Sequence, residues 1–151
     1  HDQEEAHAVG NRVAVLNQGR LETVMPADEL WRAPPNEFVA RFLGLSNIVP
    51  LELAGDGSAS TPWGRIQLTT PPSSYATRLL IRPDALVADE AGSIGGLVVS
   101  RTFRGDHTSV HIRPTAAAGP PLEASLRLAE LPAVGQPIVL RVDPQGVLFL
   151  P

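Results

Sequence analysis

Asn36-Glu37-Phe38-Val39-Ala40-Arg41-Phe42-Leu43-Gly44-Leu45-Ser46-Asn47-Ile48-Val49-Pro50 is the stretch in which the chain changes its period. Up to Gly44 the apolar residues Phe38, Val39, Phe42 and Leu43 recur at helical spacing, behind Asn36 as the cap and ahead of Gly44 as the stop. From Ile48 onward the period shortens, and short β-rich runs alternate with Gly, Pro, Ser and Asp. Strands are expected over 48–53, 64–69, 78–81, 96–103, 109–113, 122–128, 137–142 and 147–150, with no long helix after Gly44. That spacing fits a small barrel or a sandwich. Gly55-Asp56-Gly57-Ser58 and Asp143-Pro144-Gln145-Gly146 read as hairpin turns, and 116–121 as a flexible loop.

Working back from Asn36, Pro34-Pro35 ends a helix that Pro26 opens. Asp28-Glu29 suit its positive end, and Leu30-Trp31 give it an apolar face. Before it, 12–16 and 20–24 alternate around the turn residues Asn17-Gln18-Gly19, which predicts a hairpin. Residues 1–9 are good helix formers ended by Gly10-Asn11.

Composition narrows the function. The chain has no Cys, so disulfide frameworks, thiol nucleophiles and zinc-thiolate sites are excluded. It also has no Lys, and therefore no P-loop, whose Lys reaches the terminal phosphates. Net charge is -4, with no basic excess in 1–47 or in 48–151, so nucleic acid is not an expected partner. No apolar run reaches the ~18 residues of a membrane span. An acidic start without a signal peptide or initiator Met suggests an excised segment.

Against this reading, His1-Asp2-Gln3-Glu4-Glu5-Ala6 resembles the switch-histidine segment of ABC ATPases. Further resemblances follow in order: 12–22 to the hairpin after that segment, 28–34 to the next helix, and 36–44 to the closing helix. Leu45-Ser46-Asn47-Ile48-Val49-Pro50 resembles the entry to the TOBE domain of importer ATPases, and Leu80-Ile81-Arg82-Pro83-Asp84 a TOBE strand end. Gly10-Asn11 and Met25-Pro26-Ala27 depart from the family wording. The resemblance implies a mainly β fold, an OB-like TOBE barrel over 48–151, preceded by a short α+β remnant of a nucleotide-binding domain over 1–47. It implies an accessory or regulatory segment of an importer ATPase for iron(III) or polyamine. ATP and Mg would be used by the parent chain and no cofactor by this segment. Inner-membrane permease subunits and a second copy would be partners, on the cytoplasmic face, without direct membrane insertion. His1 would contact the terminal phosphate in the parent alone.

The other candidates leave alternatives open. Asp2, Glu4 and Glu5 beside His1 read as a metal cluster or as acids complementing a helix dipole. His107 and His111 share a strand face, but an extended strand sets them ~13 Å apart, too far for one ion. Arg101, Arg104 and Arg113 around Asp106 read as a small oxyanion pocket or as surface arginines paired with acids. Trp31, Phe38 and Phe42 read as core, or as a dimer or partner contact where the domain they face is absent. The rival to an ATPase segment is a free-standing OB-like domain binding a small oxyanion or nucleotide, which has no need of residues 1–44.

Overall fold

The computed structural model describes residues 12–115, 119–127 and 131–151. The expected first helix, His1 and the acidic cluster of Asp2, Glu4 and Glu5 lie outside the described residues.

Strands β1 (Arg12–Asn17) and β2 (Arg20–Pro26) form an antiparallel ribbon. Its two-residue turn puts Gln18 and Gly19 at φ 49° and 78°, the left-handed pair that the twist of a hairpin favours. Helix α1 (Ala27–Arg32) follows Pro26 directly and buries Leu30. In helix α2 (Glu37–Phe42) the Asn36 side chain accepts from the Val39 N–H at 2.9 Å, an N-cap. Gly44, at φ 82°, takes the left-handed position that ends it. Its buried side is Val39 and Ala40, continued by Leu43, while Phe38 and Phe42 face outward.

The rest is β: β3 (Ile48–Pro50), β4 (Glu52–Leu53), β5 (Ser58–Thr61), β6 (Gly64–Gln67), β7 (Arg78–Ile81), β8 (Leu86–Ala88), β9 (Ile94–Phe103), β10 (Thr108–Pro114), β11 (Leu122–Leu126), β12 (Pro137–Val142) and β13 (Val147–Leu150). They form a five-stranded sheet β11-β10-β9-β12-β8 and the three-stranded sheets β13-β7-β3 and β4-β5-β6. The five-stranded sheet curls into a nearly closed barrel, giving an OB-like, mainly β fold. Three details differ from the sequence reading. Short β5 and β8 were hidden in Ser- and Asp-rich wording. Residues 143–146 are not a hairpin turn, because β12 and β13 belong to different sheets, and a 3-10 turn over Pro144–Gly146 carries the chain between them. A bulge between His111 and Ile112 leaves Val99 as an extra residue on β9.

Alternation along the β13-β7-β3 sheet divides the interior in two. Val49, Leu79 and Ile81 point into the barrel core, joined by Val147 and Phe149. Ile48, Leu80 and Leu150 point the other way, into a second core with Val15, Leu30, Val39, Ala40, Leu43 and Leu45 from the first part of the chain. One sheet thus serves two cores, as a period of two requires when both faces are covered. Trp63, at the β5–β6 turn, is fully buried in the barrel core, and its indole N–H donates to Pro120 O at 2.9 Å.

Candidate functional site

The junction between the two parts is tightly specified. Asn47 is wholly buried, and its side-chain amide donates to Ile81 O (3.1 Å) and Glu123 O (2.7 Å) while accepting from the Glu123 N–H (2.8 Å). Its carbonyl accepts from the Ile81 N–H at 3.0 Å, so one residue ties β7 to β11. The Glu123 carboxylate accepts from Ser109 at 2.7 Å and from Ser46 at 3.1 Å. Sequence reasoning missed Asn47. Its only signal was a polar residue set within the apolar run from Leu45 to Pro50.

Two more contacts cross the junction. Arg78 donates to Glu37 at 2.9 Å, and Glu37 also pairs with Arg41, so that hydrogen bonding from Arg41 and the charges of Arg41 and Arg78 hold the Glu37 carboxyl below its ordinary range. Arg82 lies over the Trp31 ring, 5.3 Å from its centroid, and donates to the Trp31 carbonyl. Burial pulls its guanidinium below the ordinary value, opposed by Asp84.

Outside this junction, the first part of the chain is strongly apolar on its surface. Ala14, Leu16, Leu21 and Val24 share the outer face of the β1–β2 ribbon, with Leu16 at 64% and Leu21 at 60% exposure. Trp31 is exposed by 45%, Phe38 by 37% and Phe42 by 44%, with the Phe38 and Phe42 rings stacked at 6.4 Å. Among the described residues, half of the exposed large apolar side chains fall between Leu16 and Phe42, a density typical of a surface built to be covered.

Arg101, Arg104 and Arg113 take different positions along the β9–β10 hairpin. Arg101 stands opposite Val110 and bonds to Leu131 O and Pro132 O, whereas Arg113 lies on the other face of β10, opposite Leu97. Arg104 sits in the β9–β10 turn. Asp106 is engaged by His107 (2.7 Å) and Arg127 (3.1 Å), not by these three. The His107 hydrogen bond, with the charges of His107 and Arg127, holds the Asp106 carboxyl below its ordinary range. His111 shares a 3.2 Å hydrogen bond with Ser100 and makes no pair with His107. Among the described residues no group of three or more His, Asp or Glu side chains could hold a metal.

Asp106 and His107 stand at the rim of a cleft of about 670 Å3 between β8 and β11, which Trp31 and Leu45 close from the first part of the chain. Asp84 and Glu123 add acidic residues to its wall, and Leu86 and Leu126 back it from the barrel core.

Fold and junction together define a class: a small OB-like barrel bound through one of its sheets to a ribbon-and-helix piece with an uncovered apolar face. Residues 79–150 match the TOBE domain. The chain is 38% identical over 151 residues, 99% of its length, to the Fe(3+) ions import ATP-binding protein of Streptomyces avermitilis, covering 43% of that relative. It is 33% identical to the sulfate/thiosulfate import ATP-binding protein of Chromobacterium violaceum over 83% of its own length and 36% of the relative's. To the spermidine/putrescine import ATP-binding protein of Methylococcus capsulatus it is 33% identical, over 94% of its length and 40% of the relative's. Residues 79–150 thus carry a TOBE domain, and the chain is similar along nearly all of its length to ATP-binding subunits of importers, consistent with the C-terminal part of an ABC importer ATPase. It spans less than half the length of these relatives.

Proposed function

We propose that this chain is the accessory C-terminal segment of the ATP-hydrolysing subunit of an ABC-type importer whose cargo is iron(III). In this proposal residues 1–47 end the nucleotide-binding domain and residues 48–151 form the TOBE barrel. The single observation that carries it is similarity to an iron(III)-import ATP-binding protein along 99% of the chain, ribbon and helices included. A free-standing oxyanion-binding barrel would have no use for that first part. The uncovered faces of the ribbon and of Trp31, Phe38 and Phe42 suit a seat for the remainder of the subunit or for a second copy.

In the complete subunit His1 would act as the switch histidine, donating to a γ-phosphate oxygen while its other ring nitrogen is held by the protein. ATP and Mg would be bound by the complete subunit, which would work as a homodimer on the cytoplasmic face of inner-membrane permease subunits. The barrel would serve dimer contacts or regulation. No helix among the described residues is long and apolar enough to cross a membrane.

Calorimetry of this chain with Mg-ATP tests the division of labour, and no binding at micromolar ATP is the expected outcome, since the chain has neither Lys nor a Gly-rich phosphate loop. In the complete subunit His1→Ala is expected to lower ATP turnover by about a hundredfold or more, in line with loss of a group that acts on the transferred phosphate. Micromolar ATP binding by this chain, or unchanged turnover in the variant, overturns the proposal.

A further inference from the structure

Strand β13 is the outermost strand of the sheet β13-β7-β3, so one of its two edges has no strand beside it. The hydrogen bonds it makes determine which main-chain groups lie on that edge. Gly146 O accepts from the Arg82 N–H at 2.9 Å and Leu150 O from the Thr77 N–H at 2.8 Å, both from residues flanking β7. Leu148, opposite Leu80, shares their phase, so by the alternation of an antiparallel strand Val147 and Phe149 turn their polar groups to the free edge. The Val147 N–H is used locally and donates to Pro144 O. The Val147 carbonyl and the N–H and C=O of Phe149 have no partner among the described residues.

Val147, Leu148 and Phe149 border a second cleft, of about 560 Å3, whose other wall is the segment that follows β6. Thr69, Thr70 and Ser73 bring three hydroxyls to that wall, and Gln145 brings an amide from the turn before β13. All four residues are exposed, and their side chains make no hydrogen bond with another described residue. Leu68, Leu148 and Phe149, each half-buried, supply apolar surface. Among the described residues no Asp, Glu, Arg or His lines the cleft. Asp143, next to the turn, accepts from the Gln145 N–H at 3.0 Å and stays outside the lining.

We propose that this cleft binds a neutral, polyhydroxylated ligand of mono- or disaccharide size. Its volume lies within the range of small-molecule sites. A wall without charge rejects a charged ligand, which would give up hydration and gain no partner. A ligand hydroxyl both donates and accepts. One kind of group therefore serves the Thr69, Thr70 and Ser73 hydroxyls, the Gln145 amide, the fixed Phe149 donor and the two fixed carbonyl acceptors. The C–H face of a sugar ring suits the apolar surface of Leu68, Leu148 and Phe149. An added peptide strand fits this edge poorly. It would find one donor between two acceptors, since the turn over Pro144–Gly146 ends the edge on one side and Pro151, which has no N–H, on the other. None of the lining residues belongs to the first part of the chain, so the proposal does not rest on the importer reading.

The probes are the methyl glycosides of glucose, galactose and mannose, together with sucrose, each titrated into the isotope-labelled chain and followed by amide NMR and hydrogen exchange. Saturable binding of at least one is expected with a Kd of about 1–10 mM, in titrations carried to about 100 mM. The shifts should centre on Thr69, Thr70, Ser73, Gln145 and Phe149. Without ligand the Phe149 amide should exchange faster than those of Leu148 and Leu150, which face β7, and it should slow at saturation. Glucuronate and glucosamine should each bind about tenfold or more weakly, because the wall offers neither charge a partner. On the protein side, Thr69→Val with Thr70→Val, and separately Gln145→Ala, should each weaken the sugar by about threefold to tenfold with an unchanged melting curve. Four results would each overturn the proposal: no saturable binding of any of the four sugars, equal affinity of glucuronate or glucosamine, affinity unchanged in both variants, or tighter binding of acetyl-Val-Thr-Val-amide than of every sugar. The last would make the edge a strand-pairing site. The charged sugars keep the test decisive where a variant fails to fold.

Discussion

The barrel and the ribbon-and-helix piece solve the problem of burial in opposite ways. The barrel gathers its core from Val49, Trp63, Leu79, Ile94, Ile112, Leu122, Leu140 and their neighbours, all within 48–151. The first part of the chain contributes Val15, Leu30, Val39, Ala40, Leu43 and Leu45, and completes its core only by borrowing Ile48, Leu80 and Leu150 from the barrel. It then leaves Leu16, Leu21, Trp31, Phe38 and Phe42 on the outside. The difference separates a unit that is nearly finished from one that needs cover on two sides and finds it here on one.

The adjacent pair Leu79 and Leu80 breaks or upholds this comparison most directly. Both are fully buried, one in each core. Truncating either to Ala is expected to cost about 2–5 kcal/mol, from lost transfer energy and an unfilled cavity. Leu79→Ala should speed amide exchange throughout the barrel, whereas Leu80→Ala should speed it first in the ribbon and the two helices. Residues 48–151 made alone should lose more than either variant, because Ile48, Leu80, Leu148 and Leu150 are then bared together. Chemical denaturation with residue-resolved hydrogen exchange checks all three. A truncated barrel as stable as the whole chain would show that the second core contributes nothing to the first.

Asn47 tests whether the two parts move as one. Asn47→Ala leaves the part-buried Glu123 N–H and the Ile81 and Glu123 carbonyls without their side-chain partner, an expected loss of about 1–3 kcal/mol. Asn47→Asp should be no better, since it keeps the acceptor but sets a carboxylate against two carbonyls. The variants' exchange profiles should loosen β7, β11 and the helices at once. Loosening confined to residues 12–46 would make the junction a simple surface contact.

The exposed aromatics come next, with an effect on assembly and little on folding. Self-association as a two-fold dimer is expected at high concentration, because covering an aromatic side chain contributes about 2 kcal/mol and Trp31, Phe38 and Phe42 stand together in sequence on the uncovered piece. Phe38→Asp should weaken association in sedimentation equilibrium, with unfolding free energy changed by less than about 1 kcal/mol. Phe42→Asp is the companion. A monomer at every concentration would sink the proposal, and a dimer indifferent to both changes would place the contact on the barrel.

Much of this was legible in the chain before any coordinates. The 12–24 hairpin, the Pro26 and Asn36 helix starts and the Gly44 stop carry local signals, and the structure places them within a residue or two. The short apolar runs 78–81, 137–142 and 147–150 were equally plain. What escaped was decided by partners distant in sequence. Short β8 is a strand because β12 pairs with it, and Ser58–Thr61 because β4 and β6 flank it. Helix α2 could bury either the Phe38–Phe42 side or the Val39–Leu43 side. The shape of the β13-β7-β3 sheet, not the helix period, selects the smaller residues. Asn47 has no meaning in sequence until β7 and β11 converge on it. For a related reason nearness along the β9–β10 hairpin did not tell which face each arginine takes, since the bulge at Val99 shifts the register.

The smallest effect belongs to Glu37, the acid that links helix α2 to β7 through Arg78. Its carboxyl is held below the ordinary range, chiefly by the hydrogen bond from Arg41 and then by the charges of Arg41 and Arg78. A carboxyl lowered in the folded state contributes stability that is fully present above its unfolded value, about 4.3, and that is lost as pH falls through the lower folded value. With the Glu37 side chain 31% and the Arg78 side chain 39% exposed, solvent screening keeps the pair below about 1 kcal/mol. Glu37→Gln should therefore lower stability by a few tenths to about 1 kcal/mol at pH 7 and lose its effect toward pH 3. Asp56, Asp89 and Asp106 are also held low and destabilise both proteins in acid, so their contribution cancels in the difference between the two curves. Asp89→Asn is the matched control, because its Arg141 partner lies within the barrel and its loss should leave the exchange of residues 12–45 untouched. If Glu37→Gln stays as destabilising at pH 3 as at pH 7, its contribution is packing and not charge, and the junction is held by Leu80 and Asn47 without electrostatic help.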